Sequence, residues 1–179
     1  GYLLLQFKHP HIIRAFASGQ TNGTPYIVME FCKHGTLHDL LQRQRITEDL
    51  VRLVGRQTCA ALAHAHRYQV VHRDIKPANI LFDSPGQLKV ADFGIARWAQ
   101  QRSVTVHGTV LGTVVYMSPE QAQGEDVGPK SDIYSLGVVL YELLTGRTPF
   151  EASELAAAGR DAMMRVLLEK PAPKPSTRI

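Results

Sequence analysis

Cysteine is scarce, with two in 179 residues, so a disulfide framework is excluded as the source of stability. Cys32 and Cys59 both lie in apolar stretches and are expected to be buried small hydrophobic side chains in a reducing compartment. No apolar run approaches the roughly 18 residues a membrane helix needs, and no signal peptide is visible. This stretch is therefore expected to be soluble and cytoplasmic, with membrane anchoring elsewhere left open. Basic stripes and arginine runs are also missing. The net charge of +4 could assist an acidic nucleotide but carries no footprint of nucleic-acid binding. Internal repeats are absent. What is present is an ordinary apolar fraction of 44%, enough for one domain with a sizeable core.

Periodicity places the elements coarsely. Leu3, Leu4, Leu5 and Phe7 read as the end of an apolar-faced helix. Residues 12–17 and 25–31 read as strands, closed into a hairpin by the Gly- and Asn-rich residues 18–24. A short helix is expected over 36–44. A longer one runs from an N-cap at Thr47 to about Tyr68, with Leu50, Leu53, Val54, Gln57, Ala61 and Leu62 near its buried stripe. Residues 80–82 and 88–91 are strand-like, split by the turn Asp83-Ser84-Pro85-Gly86. Residues 133–144 are apolar on nearly all sides and belong in a core, with Ser131 as a cap and Gly146 as a stop. A further helix is expected over 154–169, and three prolines keep the tail from 171 non-helical. His64 and His66 are two apart on a helix and do not face each other, which argues against a metal pair.

The chemistry concentrates in His72-Arg73-Asp74-Ile75-Lys76-Pro77-Ala78-Asn79. An acid stands two residues before a lysine and five before an asparagine, and Asp92-Phe93-Gly94 then sets a second acid at a glycine hinge. Phosphoryl transfer asks for this set: a carboxylate to orient and deprotonate a hydroxyl, a cation on the transferring phosphate, and two oxygen ligands for Mg²⁺.

These residues resemble the catalytic loop and metal loop of eukaryotic-like (Hanks-type) serine/threonine protein kinases. The resemblance extends to His9-Pro10-His11-Ile12, to the strand ending at Phe31 and Cys32, and to Gly112-Thr113 with Ser118-Pro119-Glu120. It continues in Ser131-Asp132-Ile133-Tyr134-Ser135-Leu136-Gly137. The run from Ser118 to Gln121 looks most like the bacterial branch. The resemblance implies an α+β two-lobe fold: residues 1–31 as the end of the small lobe, and residues 32–179 as a mostly helical, C-terminally incomplete large lobe. It implies transfer of the ATP γ-phosphate to protein Ser/Thr hydroxyls with Mg²⁺, or Mn²⁺ in its place. Asp74 would be the base, and Lys76 would neutralise the phosphate and favour Ser/Thr over Tyr. Asn79 and Asp92 would be the metal ligands, and Thr113 would position the substrate. The nucleotide would contact Met29 at the gatekeeper position, the backbone of Glu30 and Cys32, and Lys76, Ala78, Asn79, Leu81 and Asp92. Thr36 stands where many relatives place a ribose-binding acid. Phe93 and Gly94, with Leu4 as a third member, would join the stacked spine that aligns the lobes, Phe93 packing inward beside His72. Asp132 would hold the catalytic-loop backbone. Arg73 would pair with a phosphorylated Thr105 or Thr109, with Ser103 a lesser candidate.

The resemblance also marks what is not in the sequence. The glycine-rich loop, the strand lysine and the glutamate that pairs with it are absent, and roughly two-thirds of such a domain is expected here. The competing reading is a non-catalytic kinase-like scaffold or truncated remnant. A small-molecule kinase is disfavoured by residues 112–120, which resemble a protein-substrate platform. The 179-residue chain by itself is expected to bind nucleotide poorly, to transfer phosphate negligibly and to aggregate. Autophosphorylation of the purified chain above an Asp74→Asn control would contradict this.

Overall fold

The computed structural model describes residues 7–43, 46–93, 114–156 and 159–178. The expected helix around Leu3–Leu5, the spine position Leu4, Gly94, and the activation-segment residues Ser103, Thr105, Thr109 and Thr113 lie outside them. The described chain is α+β. Strands β1 (Ala15–Thr21) and β2 (Thr24–Met29) form one antiparallel pair, and β3 (Ile80–Ser84) and β4 (Gln87–Val90) form a second. Helices α1 (Leu37–Arg43) and α2 (Glu48–Arg67) lie between the pairs in sequence. Helices α3 (Pro119–Gln123), α4 (Pro129–Thr145), α5 (Ala152–Ala156) and α6 (Gly159–Glu169) follow.

The first hairpin is longer than the sequence suggests. Residues 18–21, read as loop, continue β1, and the reversal is made by Asn22 (φ 52°) and Gly23 (φ 79°) alone. Two successive positive φ values match the right-handed twist of the flanking strands, which is why Asn-Gly closes the tightest hairpins. At its other end β1 begins at Ala15 rather than residue 12. Ile12 instead bridges in parallel to Val90, while Val90 N donates to His11 O (2.9 Å) and Ile13 N to Val90 O (2.9 Å). These bonds tie the segment before β1 to the second hairpin.

Helix α2 is built as its pattern predicts. Thr47 caps it by accepting from Leu50 N, and Glu48 and Asp49 sit in the first turn. Its buried face carries Val54, Gln57, Thr58, Ala61, Leu62 and Ala65. Gln57 is tolerated there because both ends of its amide are satisfied: Nε2 donates to Gly86 O (2.8 Å) and Oε1 accepts from Leu88 N (2.8 Å). One side chain thus pins the β3–β4 turn to α2. The main core gathers Val54, Leu62, Ile75, Ile80, Leu88, Phe93, Leu136 and Val139. A second cluster of Val115, Ala122, Phe150, Leu155 and Leu167 sits under the C-terminal helices.

Four expectations need correction. Helix α4 starts at Pro129 after Gly128, so Ser131 lies inside it and does not cap it; Pro at the first helical position supplies the fixed φ and lacks an N–H that would go unpaired. The helix is less uniformly apolar-packed than its composition implies, since Ile133 and Leu144 are exposed while Ser131, Asp132 and Ser135 are buried. The helix expected over 154–169 begins earlier, at Ala152, and its described parts are α5 and α6. Cys59 is exposed, because its position on α2 falls off the buried stripe, whereas Cys32 is buried.

The C-terminus and the interior of α4 give opposite expectations for one substitution. Gly146 ends the helix in the left-handed region (φ 75°), so Gly146→Ala should lower stability by about 1 kcal/mol although open space surrounds its Cβ position. Gly137 is exposed in the helix interior with equally open surroundings, so Gly137→Ala should raise stability by about 0.5–1 kcal/mol. Urea unfolding of both variants checks the pair.

Candidate functional site

The loop between α2 and β3 is held from beneath by one buried carboxylate. Asp132, 1% exposed on α4, accepts from His72 N at Oδ2 (2.9 Å) and from Arg73 N at Oδ1 (2.8 Å). His66 Nε2 adds a third bond to Oδ2 at 2.7 Å. The role expected for Asp132 is therefore met, and His66 is committed to it. Arg73 takes φ 72°, turning the chain so that the next residue, Asp74, is partly exposed. Ile75 is fully buried behind it and anchors the loop.

Two of the sequence-selected residues converge on the carboxylate of a third, Asp74. Lys76 Nζ lies 2.7 Å from Asp74 Oδ2. Asn79 Nδ2 donates to Asp74 O (2.7 Å) and to Asp74 Oδ2 (3.1 Å). Pro77–Asn79 form a single 3₁₀ turn with Pro77 buried, which makes the spacing from the acid to the amide rigid. The second acid is brought alongside by the backbone: Ala91 N donates to Asn79 O (2.9 Å), and Asp92 follows at φ 64°. An amide oxygen and a carboxylate on adjoining segments form the hard-oxygen donor set that suits Mg²⁺ or Mn²⁺, and phosphate oxygens complete such a shell.

His72 and Phe93 link the two loops. Their rings meet edge to face at 4.6 Å, and Phe93 meets Phe7 at 6.1 Å, so the expected stacking of Phe93 beside His72 is present. His72 Nε2 donates to Ala91 O (2.6 Å) and Nδ1 accepts from Asp74 N (3.2 Å). Both bonds require one neutral tautomer. Complete burial pushes the imidazole below its ordinary pKa, against the opposing pull of the Ala91 carbonyl and the nearby aspartates.

Of the residues chosen for nucleotide contact, Cys32 and Leu81 lie beside Ala91, the residue before Asp92. Met29 ends β2, and Cys32 packs with Ile13, Ala91 and partly buried Leu81. Glu30 N–H is committed to Arg14 O (2.9 Å), which leaves the Glu30 carbonyl as that residue's backbone group for a ligand. Ala78 is exposed. Thr36 is given over to α1: its hydroxyl donates to Asp39 Oδ2 (2.8 Å) while Asp39 N donates back to it (3.1 Å).

Two contacts near this site escaped the sequence reading. Lys89 Nζ pairs with Glu30 Oε1 at 2.9 Å, both largely shielded. A lysine inside an apolar strand run was the available signal, since such a charge demands a partner. Gln121 Nε2 donates to Arg73 O at 2.6 Å. Its signal was the Ser118-x-x-Gln121 spacing of a capping box, which the structure contains.

Comparison with known proteins fits this geometry. The sequence profile described as "Protein kinase domain" matches residues 2–177. Serine/threonine-protein kinase PrkC of Bacillus subtilis is 42% identical over 167 residues, covering 93% of this chain and 25% of that protein. Serine/threonine-protein kinase PknL of Mycobacterium tuberculosis is 44% identical, covering 78% of this chain and 35% of that protein. Among solved structures, Rad53 residues 1–466 in complex with AMP-PNP matches with a TM-score of 0.71 at 30% identity, over 92% of this chain and 41% of that one. The chain thus spans between a quarter and about a third of the curated relatives it matches.

A depressed His72 pKa has a defined sign. The unfolded imidazole binds a proton more readily than the folded one, so stability is fully present above pH 6.5 and declines as pH falls below it. Imidazole ¹⁵N shifts should show the His72 ring less protonated at pH 6.5 than an unburied histidine. A doubly protonated ring there would refute the assignment.

Proposed function

The chain belongs to the protein kinase domain family, and from that premise we propose that it carries the catalytic loop of a serine/threonine protein kinase. The reaction is transfer of the ATP γ-phosphoryl group to a protein Ser or Thr hydroxyl. The observation that carries this reading is the Asp74 carboxylate held between Lys76 Nζ (2.7 Å) and Asn79 Nδ2 (3.1 Å). In this reading Asp74 accepts the hydrogen bond of the incoming hydroxyl and takes its proton as the new O–P bond forms and the bond to the ADP oxygen breaks. Lys76 is near enough to Asp74 to contact the moving phosphoryl group and offset its charge. Asn79 and Asp92 would hold Mg²⁺, which supplies charge neutralisation on the phosphates when bound. The backbone of Glu30 and Cys32, with Met29 and Leu81, would receive the adenine, and Thr113 would position the substrate.

We further divide the chain at residue 31 into a small-lobe part and a large-lobe part. The proposed setting is the cytoplasm, where ATP is available. No helix among the described residues is long and apolar enough to cross a membrane.

In the full-length protein, Asp74→Asn should reduce transfer from γ-labelled ATP to a generic protein substrate by about 10²-fold or more. Nucleotide affinity should be unchanged, and label should appear on serine or threonine. Retained transfer in that variant, or label confined to tyrosine, would overturn the proposal.

A further inference from the structure

Arg73 is a non-glycine residue in the left-handed region, at φ 72°. Such a conformation persists only where the surroundings hold it. Asp132 secures one side, through Arg73 N at 2.8 Å. The other side is secured from α3, where Gln121 Nε2 donates to Arg73 O at 2.6 Å. That carbonyl belongs to the same peptide unit as Asp74 N–H, which donates to His72 Nδ1 at 3.2 Å. The peptide plane is thus gripped at both ends, and its next Cα carries the Asp74 carboxylate.

The atoms of Gln121 are divided between two tasks. Its Oε1 accepts from Ser118 N (3.1 Å) and its backbone N donates to Ser118 Oγ (3.4 Å), which closes the capping box of α3. The box is served equally by glutamate or glutamine. It therefore gives no reason for an amide here. The bond to Arg73 O does, because only the amide NH₂ can donate, and a carboxylate would face the carbonyl with a negative charge.

We propose that Gln121 is a positioning residue: its amide holds the Arg73–Asp74 peptide in its left-handed turn and makes the aim of the Asp74 carboxylate depend on the seating of α3. This rests on the phosphoryl-transfer reading for its kinetic consequence, but the bond itself is testable without it. A displacement of α3 would carry this bond with it and free the peptide that aims the base.

Two variants of the full-length protein separate the tasks. Gln121→Glu keeps the acceptor for Ser118 N and loses the donor to Arg73 O. Gln121→Lys keeps a donor for Arg73 O and loses the acceptor. Measured per folded molecule, Gln121→Glu should lower kcat about tenfold or more with KM for ATP and melting temperature unchanged. Gln121→Lys should lose melting temperature while keeping most of kcat. Amide hydrogen exchange should speed up at Asp74 in Gln121→Glu and stay slow in Gln121→Lys. Wild-type kcat in Gln121→Glu, or kcat that falls with melting temperature in both variants, would overturn the inference. If the parent protein transfers no phosphate, the reaction assigned above fails instead. Exchange at Asp74 then decides the positioning role: unchanged exchange in Gln121→Glu rejects it, and faster exchange confined to that variant supports it.

Discussion

One buried carboxylate organises the rest. Asp132 on α4 lies 1% exposed and collects two backbone N–H groups and an imidazole. A charge so placed is tolerable only when its lone pairs are satisfied, and three donors meet that condition. Two of the donors belong to successive residues of the α2–β3 loop, and the third belongs to the last turn of α2. The central helix, the long helix and the loop between β3 and α2 are thereby joined at a single point. The left-handed turn at Arg73, and with it the exposure of Asp74, depends on that point.

Around this anchor the polar groups are used economically. His72 spends both ring nitrogens, one on Ala91 O and one on Asp74 N, and so joins the two acid-bearing loops through a single neutral ring. Asn79 bonds Asp74 with its side chain and Ala91 with its backbone. Gln57 does for the β3–β4 turn what Asp132 does for the loop, with an amide in place of a charge. Each of these groups is nearly or fully buried, and each is paired, so the low-dielectric surroundings strengthen the network instead of penalising it.

Much of the site was legible because its parts are local. Asp74, Lys76 and Asn79 lie within six residues, and a buried proline makes their spacing nearly rigid, so the motif brought them near one another, although it did not name the bonds of Lys76 and Asn79 to Asp74. The long helices were legible for a similar reason, since Thr47, the acidic first turn and the apolar stripe of α2 act over one or a few turns. The misreadings came where local signals compete. A Gly- and Asn-rich stretch can be loop or strand, and pairing across the hairpin decided for strand over residues 18–21. Ser131 has the chemistry of a cap, but Pro129 two residues earlier starts the helix first, and the Ser131 hydroxyl donates to Glu120.

By itself the sequence pointed to the proposed reaction class through a contiguous string of side chains, together with the order of most elements. The family resemblance anticipated Asp132 beneath that string, but tertiary structure alone revealed the hold of Gln121. Arg73 meets Gln121 across 48 residues and Asp132 across 59, and nothing in the local pattern of either partner points to the other. Such pairs exist only once helices have packed, because backbone groups carry no residue identity: any chain offers an N–H and a C=O at Arg73, and only the fold chooses which side chains receive them.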